Sequence, residues 1–100
     1  MVNKYIVYED AVIDFEQIVH YITYKLKYPE GPIRLIELFE KKLNSIVSFP
    51  YAYPVIDDAK LEINGLRKCS LDNYLIIYNI NEELEQAEVV RIMYQREDFL

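Results

Sequence analysis

Hydrophobic and polar residues alternate along this chain with two different periods, and the period changes near the middle of the sequence. Before Pro54 the apolar residues recur every three to four positions, which is the spacing of amphipathic helices. After Pro54 they alternate with polar residues or form short continuous runs, as they do in β-strands. Helices and strands that are segregated in this way predict an α+β fold, with helices packed on one face of a sheet.

The N-terminal half predicts one strand followed by two helices. Residues 4–8 are β-branched and aromatic, which favours a short strand. Asp10 stands where a helix N-cap is expected, and an apolar stripe at helical spacing follows it. The stripe consists of Ala11, Phe15, Ile18, Ile22 and Leu26. Residues 28–32 break this helix, and Pro32 suits the first turn of the next one. The apolar side of the second helix is Leu35, Ile36, Phe39, Leu43, Ile46 and Val47. Because the link is short, we expect an antiparallel helical hairpin.

The C-terminal half predicts three strands. Residues 49–54 contain two prolines and predict an extended connector. Leu61 and Ile63 then alternate with polar residues up to Gly65, which indicates a bulge. Residues 74–80 are almost continuously apolar, so we expect a central strand in which both Ile76 and Ile77 are buried.

Residues 81–86 form a polar turn, and residues 87–94 predict the last strand. Short turns connect the last three strands, so we expect them to be consecutive antiparallel neighbours. The predicted order is therefore β-α-α-β-β-β, a helical hairpin packed on a curved, mainly antiparallel sheet. One hundred residues make one domain, residues 1–100.

Composition and charge limit which binding partners and which cellular compartment are expected for this chain. The net charge is −6, and Lys and Arg occur only in small groups, so we expect no sequence-specific DNA binding by this chain alone. Cys69 is the only cysteine, which excludes an intrachain disulfide. No leader or apolar run long enough for a bilayer is present, and we therefore expect a cytoplasmic protein with no membrane partner.

The residue types that usually carry metal or nucleophile chemistry are isolated in this sequence. His20, the only histidine, falls on the solvent side of the first helix without two further ligands. Cys69 is expected to be a buried small hydrophobe. The acidic residues Glu82, Glu83, Glu85 and Glu88 are expected to form a solvated turn. We expect no cofactor and no metal.

Several segments carry a family resemblance when they are taken in order. They are the proline-containing connector at 49–54, Arg67 after Gly65, the strand at 73–78, and the ending at 90–99. In this order and at this length, the chain resembles the RelE/ParE superfamily of bacterial type II toxins over nearly its whole length. The resemblance implies a growth inhibitor, such as those of plasmid stabilization systems, that a cognate antitoxin silences. Some members cut messenger RNA in the ribosomal A site, and others poison DNA gyrase.

Departures from the family pattern favour the ParE-like branch, with gyrase or an unknown molecule as the target. Ribosome-dependent nucleases of the family commonly have Arg where this chain has Leu75, and their last strand often ends with His where Tyr94 stands. The sequence ends at Leu100, before the tail that supplies a catalytic Tyr in some of those nucleases. Arg96 does match the family's basic residue after the last strand.

A nuclease alternative nevertheless keeps a set of candidate residues. Metal-independent RNA cleavage needs a base for the 2′-hydroxyl, a cation for the phosphorane and an acid for the leaving oxygen. The cation could come from Arg67, Arg91, Arg96 or Lys68. Tyr94 or Tyr78 could supply a proton, but the sequence offers no good base.

The sequence therefore leaves three hypotheses open. They are a binding-type poison of a target such as gyrase, a ribosome-dependent messenger RNA endonuclease, and a detoxified homologue that still binds an antitoxin. Whether the chain is an enzyme stays open with them. In each case we expect a largely apolar antitoxin contact, with a few acidic side chains meeting Arg67, Arg91 and Arg96.

Overall fold

The secondary structure follows the predicted order. The computed structural model describes residues 1–56 and 65–95, and the elements are β1 (Lys4–Val7), α1 (Glu9–Tyr24), α2 (Gly31–Ser48), β2 (Arg67–Leu71), β3 (Tyr74–Asn81) and β4 (Gln86–Tyr94). No helix occurs between residues 65 and 94. Within the described ranges, no helix has the length and apolar character needed to cross a membrane.

The four strands form one mixed sheet in the order β1-β4-β3-β2. The pairs β2–β3 and β3–β4 are antiparallel, which confirms that the last three strands are consecutive antiparallel neighbours. β1 is the exception, because it lies parallel to β4 at the sheet edge, with Lys4 opposite Gln86. The register of β3 and β4 shifts between Ile77 and Tyr78, as at a β-bulge.

The second strand begins later than the alternation predicts. β2 starts at Arg67, and Gly65 lies in the bend before it with a φ of 83°, a left-handed conformation that favours glycine. The predicted bulge at Gly65 is therefore a bend outside the strand. Leu61 and Ile63, on which the prediction depended, fall outside the described residues.

The helices cover one face of the sheet, and the rings of Phe15 and Phe39 stack between them with centroids 4.8 Å apart. Ile76 points into this layer and is 0% exposed. Ile77 points to the other face, where it is 4% exposed and packs with a second apolar cluster. The prediction that both isoleucines are buried is confirmed, because β3 has a neighbouring strand on each side and apolar contacts on each face.

The start of α1 differs from the prediction. Tyr8 is the N-cap residue and the helix begins at Glu9, so Asp10 lies within the first turn and does not cap it. The physical reason is the pairing of the preceding strand, since the Tyr8 amide still donates to the Val89 carbonyl of β4 (2.9 Å). The chain can turn into a helix only after that bond. Leu26 also departs from the predicted stripe, because α1 ends at Tyr24 and the Leu26 side chain is exposed.

The start of α2 has room for glycine alone, which gives a testable prediction. A Cβ on Gly31 would lie 2.5 Å from Ile22 Cγ2 and 2.7 Å from Tyr28 Cδ1. We expect Gly31→Ala to lower the free energy of unfolding by roughly 1–3 kcal/mol through overpacking. Urea denaturation measures it, with exposed Glu30→Ala as the control. Adding Ile22→Ala, which removes the clashing methyl, should make the pair of changes less than additive; full additivity would contradict the packing explanation.

Candidate functional site

Arg91, one of the predicted cations, forms an ion pair with α1. Its Nε donates to Asp14 Oδ2 (2.7 Å) and its terminal nitrogen donates to Oδ1 (3.0 Å). The same carboxylate accepts the backbone N–H of Ile92 (2.9 Å). β1 pairs only with the first half of β4, so Asp14 takes the place of a strand partner for the second half. Arg91 thus holds α1 against β4 and is not a free cation.

The ion pair of Asp14 predicts how the free energy of unfolding depends on pH. Partial burial raises its pKa, but the hydrogen bonds from Arg91 and Ile92 outweigh that effect and the pKa lies below its ordinary value. A carboxyl group whose pKa is lower in the folded chain than in the unfolded chain stabilises the fold at pH values above its unfolded pKa, which is about 4. This stabilisation is lost as the pH falls through the pKa of the folded chain. We expect Asp14→Asn to cost about 1–3 kcal/mol at neutral pH.

The difference in stability between the wild type and Asp14→Asn should narrow as the pH is lowered from neutrality toward about 3. Urea denaturation at a series of pH values measures it. Glu16→Gln, an exposed carboxylate on the same helix, is the matched control. A difference that stays constant across the acid range would show that the Asp14 charge is not what stabilises the contact.

Arg67, the second predicted cation, holds the connector that follows α2. Its guanidinium donates to the Tyr53 carbonyl (2.8 Å) and lies over the Tyr51 ring, 5.0 Å from its centroid. The Tyr51 hydroxyl in turn donates to Glu82. The proline-rich segment has no strand partner beyond one bridge, between Val55 and Arg67, so these side-chain contacts fix its position.

The two candidate proton donors have opposite environments. Tyr78 is fully buried, and its hydroxyl donates to the Pro50 carbonyl (2.8 Å); burial raises its pKa. A group so placed cannot protonate a bound substrate. Tyr94 is 59% exposed and is accessible to a ligand. Arg96 falls outside the described residues.

The described candidates do not converge on one point. Arg67 lies opposite Tyr78 in the sheet, whereas Tyr94 lies opposite Tyr74. Four residues along a strand correspond to roughly 13 Å. The guanidinium of Arg67 moreover turns toward the connector and that of Arg91 toward α1. The nuclease hypothesis needs cation and acid at the same phosphate. Among the described candidates, Arg67 lies far from Tyr94, whereas Arg91 lies near the groove of Tyr94 but is bound to Asp14.

Glu88 is a buried carboxylate that the sequence analysis placed in a solvated turn, and that prediction is wrong. It is 6% exposed and accepts hydrogen bonds from Asn79, Asn81 and Gln86, the last at 2.7 Å. The Tyr8 hydroxyl also bonds to it. These hydrogen bonds, with that from Gln86 foremost, hold its pKa below the ordinary value despite burial.

A sequence signal for this network existed. Polar residues recur at every second position, 79 and 81 before the turn and 86 and 88 after it, which places them on one sheet face once the two strands pair. Glu82, Glu83 and Glu85 are exposed, as expected. Glu88 is not, because it lies in β4 and not in the turn.

A groove of about 560 Å³ opens between α1 and the ends of β3 and β4. Its aromatic lining is Tyr21, Tyr74 and Tyr94, with Leu26 beside them; we call it the tyrosine groove. The rings of Tyr74 and Tyr94 meet edge to face, with centroids 5.7 Å apart. Burial and the neighbouring hydroxyls raise the pKa of Tyr74, which keeps its hydroxyl protonated at neutral pH.

His20 and Cys69 lie in the environments that the sequence predicts, one exposed and the other buried. His20 is exposed and lies against the Tyr24 ring, with centroids 4.6 Å apart. Cys69 is buried, and burial raises the pKa of its thiol, which makes it a poor nucleophile. Among the described residues, no group of three potential ligands is arranged to hold a metal ion.

Comparison with known proteins identifies the family. A family model described as the ParE toxin of the type II toxin–antitoxin system parDE matches residues 5–99. The chain belongs to the ParE toxin family. A solved structure titled the chromosomal ParDE toxin–antitoxin system from P. aeruginosa has a similar fold, with a TM-score of 0.71 and 14% identity over 96% of this chain and 98% of that one. A comparison with curated proteins gives no match.

Membership in the ParE family supports the toxin function that the resemblance implied, and it favours the ParE branch over the RelE-like alternative. A ParE toxin is one half of a toxin–antitoxin pair, so its partner is a cognate antitoxin. Within this ParE fold, Arg67 and Arg91 hold the connector and α1 in place, whereas Tyr94 faces solvent.

Proposed function

We propose that this chain arrests growth in the cytoplasm by binding DNA gyrase and jamming it through surface contacts, without bond cleavage by the toxin itself. The observation that carries the proposal is the engagement of Arg67 and Arg91. Each donates short hydrogen bonds within the chain, to the Tyr53 carbonyl and to Asp14 respectively. A catalytic cation must be free to meet charge as it develops on the phosphate.

The remaining described chemistry supports the same proposal. Tyr94 is exposed, and among the described residues that line the tyrosine groove with it, Asp14 is the candidate base. Asp14 is ion-paired with Arg91 and has a lowered pKa, so it is a poor proton acceptor. A poison that acts by contact needs an exposed, shaped surface and no such catalytic set.

Supercoiling of relaxed plasmid by purified gyrase tests the proposal. The toxin, released from its antitoxin and refolded, should inhibit supercoiling and increase the fraction of cleaved plasmid trapped on the enzyme. The same preparation mixed with equimolar antitoxin is the control and should have neither effect. Arg67→Lys and Arg91→Lys, which keep the charge, should retain inhibition wherever circular dichroism shows that they fold.

Primer extension on cellular transcripts after induction separates the alternatives. Codon-phased cuts in messenger RNA, with supercoiling unaffected in the gyrase reaction, would overturn the proposal in favour of a ribosome-dependent endonuclease. Normal growth on induction without the antitoxin gene, with soluble folded protein present, would instead indicate a detoxified homologue. The gyrase proposal requires growth arrest together with uncut transcripts.

A further inference from the structure

The tyrosine groove has the chemistry of a site for a flat, polar-edged ligand. Tyr21 is 50% exposed and Tyr94 is 59% exposed, so the rings of both residues are accessible to a ligand. Gln17 and Asn73 also line the groove, and their side-chain amides can both donate and accept hydrogen bonds. An unpaired nucleobase needs these two features, a ring to stack on and amide groups for its edge.

Positive charge lies next to this groove in an otherwise acidic chain. Lys25 and Lys27 flank the lining residue Leu26, and both are exposed. Residues 17–29 contain no Asp or Glu, although the whole chain has a net charge of −6. Asp14 lies inside the groove, but its charge is compensated by Arg91 at 2.7 Å. Asp72, next to the lining residue Asn73, places one negative charge near Tyr74. The two lysines of the loop are the groups that attract a polyanion to this side of the groove.

From this arrangement we propose that the tyrosine groove holds an unpaired base of single-stranded nucleic acid, with Lys25 and Lys27 on the flanking phosphates. The base stacks on Tyr94 or Tyr21, and the amides of Gln17 and Asn73 contact its edge. Stacking tolerates every base, so the site is not sequence-specific, in keeping with the acidic composition. This goes beyond the proposed gyrase inhibition, since it assigns a second ligand to the toxin.

Fluorescence anisotropy of a labelled oligothymidylate of about ten nucleotides tests the proposal with the purified toxin. Tyr94→Ala should weaken binding about tenfold, because one stacked base is lost. Two phosphate contacts predict that the logarithm of affinity falls with the logarithm of salt concentration with a slope of about −1.4. Lys25→Ala combined with Lys27→Ala should bring that slope close to zero. Since the chain contains no Trp, quenching of tyrosine fluorescence reports on the same event.

Lys4→Ala combined with Lys41→Ala is the matched control, because it removes two exposed charges outside the groove. It should retain the salt slope and most of the affinity. A duplex of the same length should bind more weakly than the single strand, since its bases are not free to enter the groove. Circular dichroism and urea denaturation of each variant exclude unfolding as the cause of a loss.

Absence of oligonucleotide binding by the folded wild type, or binding unchanged in both groove variants, overturns the proposal. Loss of antitoxin binding in Tyr94→Ala without any oligonucleotide binding also overturns it and assigns the groove to a protein side chain. These outcomes are separable from the gyrase proposal. A toxin that inhibits supercoiling but does not bind the oligonucleotide contradicts only the groove inference, and the reverse result contradicts only gyrase inhibition.

Discussion

An Ile76→Ala variant is expected to lose about 2–5 kcal/mol of the free energy of unfolding. Ile76 is 0% exposed and lies in the layer between the sheet and the helices. Removing three carbon atoms there leaves a cavity that the surrounding side chains only partly fill. Because a domain of this size has roughly 5–15 kcal/mol in total, the variant is expected to be near its stability limit.

Urea denaturation of the two proteins gives the difference directly. Ile33→Ala is the matched control, since Ile33 is 63% exposed on α2 and its truncation creates no cavity. Ile77→Ala should also be costly, because that side chain is buried on the opposite face of the same strand. A loss below about 1 kcal/mol at position 76 would mean that its side chain does not lie in the core.

Replacement of Tyr78 should separate the contribution of its ring from that of its hydroxyl. Tyr78 is among the largest fully buried side chains, and its ring meets that of Tyr53 edge to face with centroids 6.4 Å apart. We expect Tyr78→Ala to cost about 3–5 kcal/mol, as for other large aromatic truncations. Tyr78→Phe keeps the ring and removes only the hydrogen bond to the Pro50 carbonyl, so it should cost about 1 kcal/mol.

The same pair of variants tests a functional hypothesis. If the Tyr78 hydroxyl were a proton donor in RNA cleavage, Tyr78→Phe would abolish growth arrest while the protein stayed folded. Its burial leads us to expect full growth arrest from Tyr78→Phe at equal expression. Tyr24→Phe, which removes a hydroxyl from an exposed side chain, is the control. Thermal denaturation of the purified variants shows whether a loss of arrest reflects unfolding.

The sequence by itself determined the element order and the central strand. Local periodicity was sufficient because it reports which side of an element is buried, and the run at 74–80 has no polar side to expose. The resemblance that rested on this order led to the right family.

The site depended on contacts between distant parts of the chain. Asp14 and Arg91 are 77 positions apart, and Asp14 reaches the β4 edge because β1 ends early and the chain turns directly into α1. No local pattern encodes that meeting. The sequence likewise made Arg67 a candidate catalytic cation. In the folded chain its guanidinium donates to the Tyr53 carbonyl of the connector. Backbone carbonyls without a strand partner need such a donor.

Only the tertiary structure decided which polar side chains are buried and which aromatic residues face a common groove. Glu88 is buried because β1 adds in parallel beside β4, which brings Tyr8 to a carboxylate already bonded by the amides of β3 and β4. The tyrosine groove is assembled from α1, β3 and β4. The periodicity of the sequence determines which face of each helix or strand is buried. Strand order and register determine which buried faces contact one another, and both depend on the packing of the whole chain.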